Sequence, residues 1–122
     1  QKKGGIMLLF AKTHEWIKVD GTKGKIGISD NAQKELGDIV YIELPEVGSE
    51  FSAGDVLCEV ESVKAVSEIY APVDGKVIAV NEELEDSPEL VNEDAMANWI
   101  CEIEITGDTS ALLSEEEYKK TI

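Results

Sequence analysis

One short stretch of the 122-residue chain sets a nucleophile-bearing side chain in a symmetric frame: ESVKAVSE, residues 61–68, which reads almost alike in both directions around Lys64-Ala65. Folded on itself, the stretch pairs Val63 with Val66, Ser62 with Ser67 and Glu61 with Glu68. That is an antiparallel hairpin with Lys64 and Ala65 at its tip. The tip lacks the Asn-Gly or Gly that favours primed two-residue turns, so a type I-like turn held by the flanking strands is expected. Glu61 facing Glu68 sets like charges across the pair, at a cost of roughly a few tenths of a kcal/mol. A purely structural hairpin has no need of that arrangement. A lysine with the ordinary pKa of about 10.4 is protonated at neutral pH and is a poor nucleophile. Nothing beside Lys64 reads as a desolvating pocket or a catalytic base. The chemistry that suits an exposed lysine at a hairpin tip is acylation by a separate enzyme, which removes the charge and lengthens the arm.

The remaining reactive side chains point to less. His14 is the only histidine and precedes Glu15. As a general base it would need a nucleophile and an orienting group, and none stands out, so it reads as a polar structural or cleft residue. Cys58 and Cys101 lie far apart, with no C-x-x-C and no nearby histidine. That spacing gives no metal site, and in a reducing compartment both read as buried free thiols. With no Ser-His-Asp set and no Gly-rich phosphate loop, the residues argue against an enzyme.

The elements that must position Lys64 follow from alternation and turn residues. VLCEV leads into the hairpin and EIYAPVDGKVIAV leads out. VLCEVE at 56–61 matches WICEIE at 99–104, with Val56, Cys58, Val60 and Trp99, Cys101, Ile103 on one face and Glu59, Glu61, Glu102 and Glu104 on the other. IVYIELPEVG at 39–48 loosely matches KVIAVNEELE at 76–85. Two copies of a strand pair predict two similar antiparallel sheets packed face to face with a quasi-two-fold relation. Residues 6–11 read as a strand. Trp16–Val19 and Lys25–Ile28 read as a hairpin about an Asp20-Gly21 turn, and SDNAQKELGD as a short helix capped by Ser29 or Asp30 and ended by Gly37. Asp38–Leu44 is a further strand. SPELV, 87–91, reads as one helical turn with Ser87 as cap and Pro88 in the first helical position. The tail TSALLSEEEYKKTI reads as helical, with Ser114 and Glu117 forming a capping box and Leu112, Leu113 and Tyr118 binding it to the sheets. Residues 1–6 read as an irregular N-terminal extension of the kind a cloning scar leaves, and 7–122 as one domain.

Charge narrows the partners. The net charge is −15 and all eleven basic residues are lysines. Six of them face only Glu15 and Asp20 in residues 1–25, and the other five face 24 acids in the rest. So acidic a surface repels phosphate backbones, which argues against nucleic acid, and without arginine there is no bidentate fork for phosphate. Proteins with basic patches are the expected partners. No apolar run approaches the roughly 18 residues of a membrane span, and no signal-peptide pattern is present. A cytoplasmic location is therefore expected, bacterial or archaeal, with the mature form of a mitochondrial protein as the alternative.

ESVKA followed by YAPVDGKV resembles the lipoyl-lysine hairpin of glycine cleavage system H proteins. The resemblance extends through KTHEW at 12–16, GISDNAQ at 27–33, LGDIVYIELPEVG at 36–48 and LLSEEEY at 112–118, about residues 8–122 in all. It implies a mainly β, barrel-sandwich hybrid fold of the lipoyl/biotinyl-domain type, with short helices and a C-terminal helix. It implies lipoate in amide linkage on Lys64, with Glu61 and Gly75 matching positions that help present that lysine to a lipoate ligase or a lipoyl/octanoyl transferase. It also implies a role: carrying the aminomethyl group from glycine decarboxylase, the P protein, to the aminomethyltransferase, the T protein, before reoxidation by dihydrolipoamide dehydrogenase, the L protein. A lipoate relay, or a lipoyl carrier outside glycine catabolism, would use the same lysine. Biotinyl domains typically show M-K-M and dehydrogenase lipoyl domains D-K-A, where this chain has Val63-Lys64-Ala65. One departure stands out. EDAMANW at 93–99 has no Gly or Pro where the family commonly has a Gly-rich, Pro-containing turn.

Overall fold

Alternation of apolar side chains along the strands decides the architecture. The computed structural model describes residues 6–122, so the irregular extension expected at the N-terminus lies outside the described residues except for Ile6, which is exposed and precedes the first strand. In chain order the elements are β1 (Met7–Phe10), β2 (Glu15–Asp20), β3 (Lys23–Ile28), α1 (Asp30–Leu36), β4 (Ile39–Glu43), β5 (Glu50–Phe51), β6 (Val56–Ser62), β7 (Val66–Tyr70), β8 (Gly75–Val80), α2 (Glu83–Asp86), α3 (Leu90–Glu93), β9 (Cys101–Ile105), β10 (Leu113–Ser114) and α4 (Glu115–Lys119). The strands form a seven-stranded sheet, ordered β10-β1-β2-β3-β9-β8-β5, and a three-stranded sheet, ordered β4-β6-β7. The strand pairs recorded are all antiparallel. The two copies of the internal repeat fall one in each sheet, as β4-β6 and β8-β9.

One core cluster takes its side chains from both sheets. Ile17, Ile26, Val77, Cys101 and Ile103 come from the larger sheet and Ile39, Ile42, Cys58, Val60 and Ile69 from the smaller, with Leu84 and Val91 of the short helices closing one end. The larger sheet is also covered on its other face near β1 and β2. There Phe10, Trp16 and Tyr118 form a second cluster with Leu8 and Leu113. Leu8, Phe10 and Trp16 thus face one way while Leu9, Ile17 and Val19 face the other, which is why these strands read as near-continuous apolar runs.

Four local expectations differ from the structure. In each repeat copy the first apolar residue leaves the core: Val56 is 48% exposed while Leu57 is buried, and Trp99 is half-buried while Ile100 is fully buried. A register shift between Val56 and Cys58 accounts for the first case, since one extra residue inverts the alternation upstream of it. Helix α2 was not foreseen, and it takes Ser87 as its C-cap, with the Ser87 N–H donating to Glu83 O at 2.9 Å. The next helix therefore starts later, at Leu90, with Glu89 as N-cap and no side-chain capping bond. The tail is helical only in α4. Ser114 does form the capping box with Glu117, but an N-cap residue keeps an extended backbone, so the segment before it pairs as β10 with β1 instead. The β2–β3 hairpin closes one residue later than expected, on Gly21-Thr22, with Asp20 paired to Lys23.

Candidate functional site

The hairpin forms, with a register one step from the symmetric one. Glu61 faces Val66, Val60 faces Ser67 and Glu59 faces Glu68, and Ser62 N–H donates to Ala65 O at 2.9 Å. The tip is therefore Val63-Lys64, not Lys64-Ala65. Ser62 decides this. Its hydroxyl, almost buried, accepts from the N–H groups of Lys64 and Ala65, both at 3.2 Å. A serine that satisfies two turn donors stands in for the Asn or Gly the sequence lacks. Val63 N–H then donates to Asp38 O at 3.0 Å, tying the tip to the corner between α1 and β4. The like-charge contact is real but falls elsewhere: Glu43, Glu59 and Glu68 stand opposite one another across all three strands of the smaller sheet.

Lys64 is exposed. Its stem runs over the C-terminal end of α1, where a Cβ built on Gly37 would stand 3.3 Å from Lys64 Cε. Its Nζ lies 3.4 Å from Glu35 O, a carbonyl at the negative end of that helix. Gly37 has φ +78°, so glycine is suited here both by backbone and by the crossing side chain. Two ion pairs occur among the described residues, Lys34–Asp30 and Lys119–Glu115, and neither involves Lys64. Glu61 is exposed on β6 opposite Tyr41 and Val66. With Glu43 and Glu59 these residues line a small concavity beside the hairpin. Gly75 is not brought to Lys64. It begins β8 in the other sheet, where an added Cβ would meet Glu104 O at 2.8 Å and Ile103 Cδ1 at 2.9 Å. The structure gives that glycine a packing reason.

His14 accepts or donates one hydrogen bond, Nδ1 to Tyr118 Oη at 2.6 Å, and Tyr118 Oη also bonds Ser29 Oγ at 2.8 Å. The three side chains join the turn before β2, the cap of α1 and helix α4, which is the structural role the sequence suggests. Cys58 and Cys101 are buried and unbonded. Burial pushes both thiols up, Cys101 to about 12. The segment 93–99 replaces glycine and proline with side-chain closure. Asp94 Oδ1 accepts from Ala97 N–H at 3.1 Å, and Asn98 Nδ2 donates to Leu90 O and Asp94 O at 3.0 and 2.9 Å. Sequence reasoning passed over Glu15. It is 1% exposed, accepts from the Thr13 hydroxyl and from Tyr70 N–H, the latter at 3.1 Å, and so ties β2 of one sheet to β7 of the other. Desolvation raises its pKa above the usual 4.5, against the pull of those two donors. Its place on the inner face with Ile17 and Val19 was legible in the alternation.

Two packed antiparallel sheets, with a lone lysine held at the exposed tip of a hairpin, make this a barrel-sandwich protein of the lipoyl-domain kind. The model of the family described as glycine cleavage H-protein matches residues 8–122. A probable glycine cleavage system H protein of Thermococcus kodakarensis is 62% identical over 115 residues, covering 93% of this chain and 81% of that one. The glycine cleavage system H protein of Alkaliphilus oremlandii is 56% identical over 113 residues, covering 91% and 89%. Among solved structures, the crystal structure of a glycine cleavage system H protein from Mycobacterium marinum matches with a TM-score of 0.86 at 35% identity, covering 93% of this chain and 94% of that one. The chain belongs to the glycine cleavage H-protein family, the lipoate-carrying component of the glycine cleavage system. The relatives are bacterial and archaeal. Among the described residues no helix is long and apolar enough to cross a membrane.

Proposed function

We propose that Lys64 carries lipoate in amide linkage and that this chain shuttles between the decarboxylase (P protein) and the aminomethyltransferase (T protein) of the glycine cleavage system, with dihydrolipoamide dehydrogenase (L protein) as the third partner. The observation that carries this reading is an exposed amine on an anchored tip, outside every ion pair among the described residues. An amine buried or locked to a carboxylate would not fit the group; Lys64 does. Its Nζ, once deprotonated in the loading enzyme's site, forms the amide bond with an activated acyl carbon and gives up a proton as the activating group leaves. When attached, lipoate supplies a disulfide that takes up the aminomethyl group left by glycine decarboxylation and yields a dithiol after its transfer.

The chain's own residues present and position. Ser62 and Asp38 fix the tip, and the two-sheet core gives it a rigid base. Glu61, exposed three residues before Lys64, is placed to touch the ligase or lipoyl/octanoyl transferase that loads it. Gly75 supports presentation from a distance, by letting β8 lie close on β9. Among the described residues no base or nucleophile is hydrogen-bonded to the Lys64 amine, whose one partner is the Glu35 carbonyl, and His14 is engaged with Tyr118. The chain therefore acts as a non-catalytic carrier, working in the cytoplasm beside its enzymes.

The test is peptide mass analysis after treatment with lipoate ligase, ATP and lipoate, followed by glycine turnover with purified P and T proteins. Label on Lys64 alone, and turnover that Lys64→Arg abolishes, are expected. Label on another lysine would overturn the site. A Lys64-loaded protein inert with P and T proteins would favour a relay of lipoate to other acceptors.

A further inference from the structure

The tip of the hairpin is tethered to the corner Gly37-Asp38-Ile39 through the bond from Val63 N–H to Asp38 O. That corner is in turn held by one side chain from a third element. Asn92 on α3 donates from Nδ2 to Gly37 O and to Gln33 Oε1, each at 2.9 Å, and its Oδ1 accepts from Ile39 N–H at 2.9 Å. Two acceptors on the nitrogen side and one donor on the oxygen side match the amide group in a single orientation. The residues on both sides of Asp38 are thus fixed by Asn92. The Asp38 carbonyl between them holds the tip, and the Lys64 stem lies across Gly37. A continuous chain of hydrogen bonds runs from α3 through the corner to the residue before Lys64.

We infer that Asn92 is a positioning residue for the modification of Lys64: by fixing the corner to which the hairpin tip is tethered, it sets where the lysine amine is presented to the acyl-transferring enzyme. This rests on reading Lys64 as the lipoylated lysine. The hydrogen bonds Asn92 makes end at the corner, so its effect on Lys64 passes through the backbone. A role in the fold alone would lower global stability and leave the tip as ordered as the core. A positioning role loosens the tip more than the core.

The experiment uses the full chain, with lipoate ligase, ATP and lipoate as probe. It compares the wild type with Asn92→Ala and with Tyr118→Phe, a control that loses hydrogen bonds to His14 and to Ser29, the cap at the opposite end of α1 from the corner. One readout is kcat/KM for acylation of Lys64. The other is amide hydrogen exchange at Val63 relative to Ile17 in the core. Asn92→Ala is expected to lower kcat/KM about three- to tenfold, the scale of one net hydrogen bond's worth of order, and to speed Val63 exchange relative to Ile17 by a similar factor. Tyr118→Phe is expected to leave both readouts at wild-type values. Should Asn92→Ala not fold, Asn92→Asp carries the test: it keeps the bond to Ile39 and turns a carboxylate oxygen toward Gly37 O and Gln33 Oε1. Acylation at wild-type efficiency, a loss no larger than that of Tyr118→Phe, or an unchanged exchange ratio would overturn the inference. A wild type that takes no lipoate on Lys64 would instead refute the carrier reading, and the Val63 exchange ratio would still decide on the tether.

Discussion

Glu15 is a carboxyl group placed where water is not. It is 1% exposed and packed on the inner face of β2, and burial raises its pKa above 4.5 despite the donors at Thr13 and Tyr70. The native state therefore keeps this proton to a higher pH than the unfolded chain does. Its contribution to stability is full below about 4.5, the unfolded value, and is lost as pH rises through the native value. Glu15→Gln cannot ionise, so the stability difference, wild type minus variant, should decline as pH rises across that window and then level off. Urea midpoints at a series of pH values measure it. A difference that grows with pH would mean that the two hydrogen bonds, not burial, govern the carboxyl. Lys64 was found from its own neighbours in the chain. Glu15 was not, because its significance lies in Tyr70, 55 residues away.

Among the strands, the smaller sheet carries a rung of three glutamates, Glu43, Glu59 and Glu68, with Glu59 in the middle. Like charges directly opposite one another weaken a sheet. Glu59 is exposed and Glu68 also accepts from the Tyr70 hydroxyl at 3.0 Å, so the central position is the one to change. Replacing Glu59 by threonine removes the repulsion on both sides and supplies a β-branched residue. It should raise stability by roughly 0.5–1 kcal/mol, read as a higher urea midpoint at low salt. A neutral or lower midpoint would show that the carboxylates already splay apart into solvent. The palindrome predicted a like-charge pair at Glu61 and Glu68; the observed rung is the same feature displaced by the register that Ser62 imposes.

For the protein as one body, the net charge of −15 is spread over a surface with two ion pairs among the described residues, both between neighbours on the same helix. Self-repulsion should dominate its response to salt. The screening length falls from about 30 Å at 0.01 M to about 3 Å at 1 M, so the thermal midpoint should rise between those concentrations. Binding to a basic partner enzyme should weaken over the same range. A falling midpoint would mean that attractive pairs outweigh the excess charge, and salt-independent binding would remove any steering role for the acidic face.

The amino-acid sequence by itself determined what nearest neighbours along the chain can decide: which residues alternate in strands, that Ser29 and Ser114 cap helices, that Gly37 ends one, and that Lys64 sits on a turn between two strands. Those features depend on backbone preferences and side chains a few residues apart. Tertiary structure decided the tether of Val63 to Asp38, the grip of Asn92 on the corner and the bond from Tyr70 to Glu15. Each of these rests on hydrogen bonds between groups 25 to 55 positions apart, formed where separate elements meet. No local pattern records where that meeting occurs.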